Sequence, residues 1–214
     1  GHGAMPIILA SGVLQWKAAE TPGYSATSGV LQAGHFTLPG QLEYHEHPFP
    51  LALELKTESL EAARQWITEN SDQLGQQAAR HGAILLRGLP LNSPEDFDAA
   101  VSSFNFPPFS YEDSLSNAYR INYTPLVFSA NEAPPEVTIF LHHEMAQTPI
   151  YPSKLFFFCQ IAPDEGGATP ICRSDILWER LTKKLPDFAS DCLEKGLKYS
   201  LTMAGESDQS SGMG

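Results

Sequence analysis

His142-His143-Glu144 is the stretch of this chain best suited to chemistry. Side chains in a strand alternate with period two, so a strand here would put residues 142 and 144 on one face and 143 on the other. An imidazole and a carboxylate side by side are two of the three groups in the facial triad that holds non-haem Fe(II) and leaves positions open for oxygen chemistry. The approach, Val137-Thr138-Ile139-Phe140-Leu141, is aliphatic and aromatic and predicts a strand over Val137–Glu144. The third ligand is expected to be a histidine far downstream, and the sequence holds no histidine after His143. His143 itself faces the other way in this reading, as a structural group or one that orients a ligand from behind.

A second run, His45-Glu46-His47, has the same spacing and could suggest a cupin-type metal site, as in an isomerase. It directly precedes Pro48-Phe49-Pro50. Asn131 and the loop around Tyr119–Tyr123 are candidates for lining a substrate pocket, because long loops beside a metal often do. For Asn131 the alternative is an Asx turn ahead of Pro134-Pro135.

Several elements must position these groups. Leu60, Ala63, Ile67, Leu74 and Ala78 recur at helical spacing, which predicts an amphipathic helix from about Thr57 to His81, with Gly82 as its stop. Ala83-Ile84-Leu85-Leu86-Arg87-Gly88 reads as a short buried strand. Ser93-Pro94-Glu95-Asp96 is a helix start, with a Ser N-cap, Pro at the first helical position and acids in the first turn; that helix should run to about Phe104. Lys154–Ile161 is apolar on both faces and is expected as a central strand, its phenylalanines in the core and Lys154 a charge at its end. Ala168–Cys172 and Leu197–Met203 read as further strands. Ser174 is expected to cap a helix with Leu177, Leu181 and Leu185 on one face, and Pro186 to open another that closes at Gly196. The tail from Gly205 to Gly214 is rich in Ser and Gly.

Composition narrows the class of function. A chain of 214 residues is long enough for one domain with a sizeable core. Gly1-His2-Gly3-Ala4 ahead of Met5 reads as an expression scar, leaving 5–214 as a single domain. The net charge of −12 argues against nucleic acid, whose phosphates call for a basic surface. No apolar stretch is long enough to span a bilayer. Three widely spaced cysteines, Cys159, Cys172 and Cys192, form neither a disulfide framework nor a zinc knuckle, and point to a cytoplasmic location. The 17 prolines predict long irregular connections, above all over 105–135.

Arg-His-Gly-Ala-Ile-Leu-Leu-Arg-Gly (80–88), the Ser93 helix start, Ser-Ala-Asn-Glu-Ala-Pro-Pro (129–135), His-His-Glu-Met-Ala (142–146), Pro-Ser-Lys-Leu-Phe-Phe-Phe-Cys (152–159) and Gly-Gly-Ala-Thr-Pro (166–170) fall in a familiar order. In this order, over roughly residues 40 to 214, the chain resembles the TauD/TfdA-type Fe(II)/2-oxoglutarate-dependent dioxygenases, and among them the clavaminate-synthase-like members. The resemblance implies a mainly β fold with flanking helices, a double-stranded β-helix or jelly roll, here its N-terminal portion. It implies His142 and Glu144 as ligands of Fe(II), and Thr169 as a hydrogen-bond donor to the distal carboxylate of the cosubstrate 2-oxoglutarate. It also implies a His and an Arg, both near the C-terminal end of family members, that would complete the triad and the cosubstrate clamp, and this sequence is expected to stop at Gly214 before reaching them.

The implied activity is hydroxylation, desaturation or oxidative cyclisation of a small molecule, amino-acid-like or another small acid, with 2-oxoglutarate and dioxygen converted to succinate and CO2. Family members that halogenate have a small residue where this chain has Glu144, which favours the other outcomes. The alternative is a catalytically inactive, truncated relative acting as a binding or dimerisation module. A downstream His followed about ten residues later by Arg would separate the two.

Overall fold

The computed structural model describes residues 7–11, 33–109, 120–130, 138–146, 151–162, 164 and 168–200. Asn131, the Gly166-Gly167 turn and the tail from Gly205 lie outside them. The chain divides into two compact units. Gly1–Pro108, Asn122–Phe128 and Pro152–Gly167 make the first; Phe109–Ile121, Ser129–Tyr151 and Ala168–Gly214 make the second.

In the first unit the chain runs through β1 (Ile7–Ser11), β2 (Gly34–His35), β3 (Leu42–Tyr44), β4 (His47–Phe49), β5 (Leu51–Glu54), α1 (Leu60–His81), β6 (Ala83–Arg87), α2 (Pro94–Ser102) and β7 (Lys154–Phe158). Five strands form one sheet in the order β2-β5-β6-β1-β7, and β3 and β4 pair separately as a hairpin. Among the described strands only β5 and β6 run parallel. A parallel pair needs a long crossover, and α1 supplies it.

The amphipathic pattern explains α1. The Ser59 hydroxyl accepts the Ala62 N–H at 3.1 Å and starts the helix. Ala63, Ile67, Leu74 and Ala78 form its buried face. Gly82, at φ 83, ends it by donating its N–H to the Ala78 carbonyl at 2.8 Å. Beneath α1, Leu51 lies opposite Ile84 and Leu53 opposite Leu86 in the β5–β6 register, and all four are buried in the same core. Removing such a side chain from water contributes about 1.5–3 kcal/mol. The Ser93 cap and Pro94 start of α2 are as expected, with Ser93 Oγ accepting the Asp96 N–H at 3.1 Å. Ser71 of α1 donates to the Phe104 carbonyl at 2.5 Å and fixes the end of α2 against α1.

The architecture corrects the expected jelly roll. A jelly roll is built from antiparallel strands in two facing sheets. The described residues form a mixed α/β arrangement of small sheets instead, with no barrel and no closed jelly-roll sheet. The larger sheet is open, holds a parallel pair and packs against a helix. Among the described residues β7 lies at the edge of the sheet and not at its centre, with β1 as its one partner. Its apolar character is explained by alternate packing. Phe156 lies 5.0 Å from the ring of Phe104 and Phe158 stacks on Phe97 at 5.2 Å, while Phe157 between them is exposed. β1, inserted between β6 and β7, was not anticipated from the sequence.

The second unit contains α3 (Ser174–Lys184) and α4 (Pro186–Lys195), which pack together. Gly196, at φ 72, closes α4 as expected. The expected apolar stripe does not make the packing face: Ile176 and Ala189 are buried, whereas Leu177 and Leu185 are exposed. No strand forms over the described part of Val137–Glu144, over Ala168–Cys172 or over 197–200. These segments lack ladder partners among the described residues, and β-propensity without a partner does not make a strand.

Candidate functional site

The candidate residues described in the structure, His142, Glu144 and Thr169, all belong to the second unit. Residues 138–143 are irregular and 144–146 form a turn, so alternation along a strand does not set where His142 and Glu144 point. Met145 lies within the bend. It has φ 58, a left-handed value that is costly for a bulky side chain, and it is buried.

His142 is exposed, and its Nδ1 lies 2.7 Å from the carbonyl oxygen of Phe140. A carbonyl can only accept, so Nδ1 carries the proton and Nε2 of the neutral ring keeps its lone pair. A backbone carbonyl behind one ring nitrogen is the usual way a metal-binding imidazole is oriented. Glu144 is largely buried, with 16% of its side chain exposed, and its Oε1 is 3.2 Å from a guanidinium nitrogen of Arg120. His143 points to a different partner: its Nε2 is 2.5 Å from Ser174 Oγ. That contact explains why Ser174 does not cap α3 as expected. Arg173 occupies the N-cap position and Ser174 is the first helical residue. Thr169 is exposed in irregular chain ahead of α3.

The donor chemistry of His142 and Glu144 suits a divalent metal, since each offers a free lone-pair atom while a neighbour steadies the rest of the group. Among the described residues no cluster of three or more His, Cys, Asp or Glu side chains is arranged to hold one ion. The other run, His45-Glu46-His47, is a hairpin turn: His45 and Glu46 have φ 50 and 64 and join β3 to β4. His47 Nε2 accepts the Arg80 Nε–H at 2.9 Å, and its ring lies 5.2 Å from that of His81. One ring nitrogen of His47 is thus engaged by a cation, which weighs against the cupin alternative.

Arg120 is the group that sequence reasoning missed. It lay inside a loop already singled out, and it is the one arginine between Arg87 and Arg173. A lone guanidinium in a long loop, with acids nearby, was the available signal.

Residues 47–208 match the family described as taurine catabolism dioxygenase TauD, TfdA family. The chain belongs to the TauD/TfdA family. A clavaminate synthase-like protein of Arabidopsis thaliana is 38% identical over 184 residues, covering 83% of this chain and 55% of that protein. A dapdiamide synthesis protein of Enterobacter agglomerans is 26% identical over 129 residues, covering 60% of this chain and 38% of that protein. The chain spans about half the length of the plant relative and less of the bacterial one. The TauD/TfdA match takes in His142, Glu144 and Thr169, and also Arg120 and Ser174. No helix among the described residues is long and apolar enough to cross a membrane.

Proposed function

We propose that the protein is a non-haem Fe(II)/2-oxoglutarate-dependent oxygenase that hydroxylates, desaturates or oxidatively cyclises a small molecule, amino-acid-like or another small acid. The iron, when bound, supplies the redox chemistry that couples dioxygen to conversion of 2-oxoglutarate to succinate and CO2. His142 Nε2 and the Glu144 carboxylate hold the metal. Thr169 donates its hydroxyl to the distal carboxylate of 2-oxoglutarate. Asn131 lines the substrate pocket. The site works in the cytoplasm, a setting compatible with the free thiols of Cys159, Cys172 and Cys192.

Membership of a dioxygenase family supports this reading. The observation that carries it to particular residues is His142, whose ring is held through Nδ1 by the Phe140 carbonyl so that Nε2 is the donor. The test is anaerobic titration of the intact protein with Fe(II) and 2-oxoglutarate. A visible metal-to-ligand charge-transfer band should appear and vanish in Glu144→Ala. A wild-type protein that gives no band, or a variant that keeps it, overturns the proposal.

A further inference from the structure

We propose that Arg120 is a positioning residue for Glu144: it holds one carboxylate oxygen in place and leaves the other to the metal. This rests on the proposed role of Glu144 as a ligand.

The pair differs from the other ion pairs of the described chain. Arg64–Glu61 and Lys195–Asp191 are one-turn pairs on helix surfaces, with side chains 44% or more exposed, and Arg173–Asp175 joins residues only two apart in sequence, with the aspartate side chain 54% exposed. Arg120 and Glu144 are 24 residues apart in sequence and show only 20% and 16% of their side chains to solvent. Partial burial raises the effective strength of a charge pair and reduces its screening by salt.

Arg120 is also built to stay where it is. Its neighbour Ile121 exchanges two hydrogen bonds with Ser129: the Ser129 N–H donates to the Ile121 carbonyl at 2.8 Å, and the Ile121 N–H donates to Ser129 Oγ at 2.9 Å. Ser129 Oγ in turn donates to the Ala130 carbonyl at 2.9 Å. The Arg120 side chain adds a long contact of its own, 3.5 Å, to the Ser129 carbonyl. The guanidinium is therefore presented from a fixed stem.

Glu144 needs such a partner because its backbone gives it little direction. It sits at the start of a turn, before the left-handed Met145, with no ladder to orient its three-torsion side chain. His143 fixes the loop to Ser174, but its side chain leaves in its own direction. A loose glutamate would have to be ordered on binding, at an entropic cost to affinity. A guanidinium also competes with a cation for negative charge. Positioning outweighs competition here because the contact occupies one oxygen, and a carboxylate offers about four lone-pair sites over two oxygens.

The experiment is titration of the intact protein with Co(II), followed by visible absorption, for wild type, Arg120→Gln, Arg120→Lys, Glu144→Gln and the Arg120→Gln/Glu144→Gln double variant. Thermal melts of each metal-free protein run alongside. Arg120→Gln should weaken Co(II) binding about 10–100-fold, the range for losing an outer-shell partner. Arg120→Lys should fall between it and wild type. In the Glu144→Gln background, Arg120→Gln should add no further loss, because there is no carboxylate left to position. A merely structural arginine would instead give the same loss in both backgrounds and overturn the proposal. Unchanged or tighter binding in Arg120→Gln, with Glu144→Gln weakened, overturns it too while sparing the ligand. Wild-type affinity in Glu144→Gln overturns the ligand reading itself. If the melts show Arg120→Gln unfolded, Arg120→Lys decides: weaker binding than wild type supports the role and equal binding overturns it.

Discussion

The Nδ1 of His142 and the carbonyl oxygen of Phe140 lie 2.7 Å apart, and this fixes which nitrogen of an exposed imidazole is available. The neutral ring should carry its proton on Nδ1. Long-range nitrogen–proton spectra of the metal-free protein in alkaline buffer should show His142 Nε2 unprotonated. Addition of Zn(II), a diamagnetic probe, should move the Nε2 resonance far more than Nδ1. The opposite tautomer, or equal shifts at both nitrogens, would remove the structural basis for placing a metal at Nε2. His142→Ala should weaken Fe(II) by more than the roughly 10–100-fold expected for an outer-shell group.

Thr169 is proposed as a donor to a ligand carboxylate, and its exposure leaves the hydroxyl accessible. A hydrogen bond to a charged group contributes about 1.5–3 kcal/mol. Thr169→Val keeps the branched shape and deletes the donor, so KM for 2-oxoglutarate should rise roughly 10–100-fold with little change in kcat at saturation. Thr169→Ser should stay near wild type. Succinate formation against cosubstrate concentration measures both, and an unchanged KM in Thr169→Val rules out the contact.

The contrast between α1 and the His142 loop shows what was legible in the chain. Helix α1 carries its own instructions, apolar residues at helical spacing and a glycine stop at Gly82, both local and both realised, while the Ser59 cap that starts it was not read from the sequence. The Ser93-Pro94 start of α2 was legible for the same reason. Val137–Glu144 has strand-like residues, but a strand also needs a neighbour, and no local pattern says whether one is present. Met145 at φ 58 was equally hidden, since nothing in a methionine announces a left-handed bend. The order of the larger sheet was not legible either. It depends on β1, from the start of the chain, entering between β6 and β7, a pairing across long sequence separation. Of the candidate site, the motif gave the residue types proposed above. The partners that steady them, Arg120 and the Phe140 carbonyl, required coordinates.

Gly88 illustrates a close approach that only glycine allows. It has φ 83, and a Cβ built there would lie 1.8 Å from the Leu55 carbonyl oxygen. The same junction is tied by the Leu55 N–H to the Arg87 carbonyl at 2.8 Å and by the Thr57 hydroxyl to the Gly88 carbonyl at 3.2 Å. Gly88→Ala should therefore cost about 2–4 kcal/mol, from backbone strain together with displacement of the Leu55 segment. Gly40→Ala is the control, because Gly40 has φ 70 but nothing within 4 Å of an added Cβ. It should lose only the conformational part, roughly 1–2 kcal/mol. Urea unfolding of the two variants measures the difference, and equal losses would show that the Leu55 contact is not limiting.

The beginning of α3 has a pH-dependent component. Arg173, buried at the N-cap, donates Nε–H to Asp175 Oδ1 at 3.0 Å and makes a second contact to Oδ2. This hydrogen bonding holds the Asp175 carboxyl below its ordinary value; burial opposes it, and the Arg173 charge and the Ile176 N–H reinforce it. A carboxyl lowered in the folded state contributes stability that is complete above its unfolded pKa, near 3.9, and disappears as pH falls through the lower folded value. With 54% of the Asp175 side chain exposed, solvent screening limits the contribution to about 1 kcal/mol or less. Asp175→Asn should thus be slightly less stable than wild type at pH 7, and the gap should close below about pH 4. It should also shrink in 1 M salt, where the Debye length is about 3 Å. Urea midpoints at pH 7 and pH 3 test the sign. A gap that widens toward acid would mean that the ionised carboxylate is not what steadies this helix start, beside the Ser174 that anchors His143.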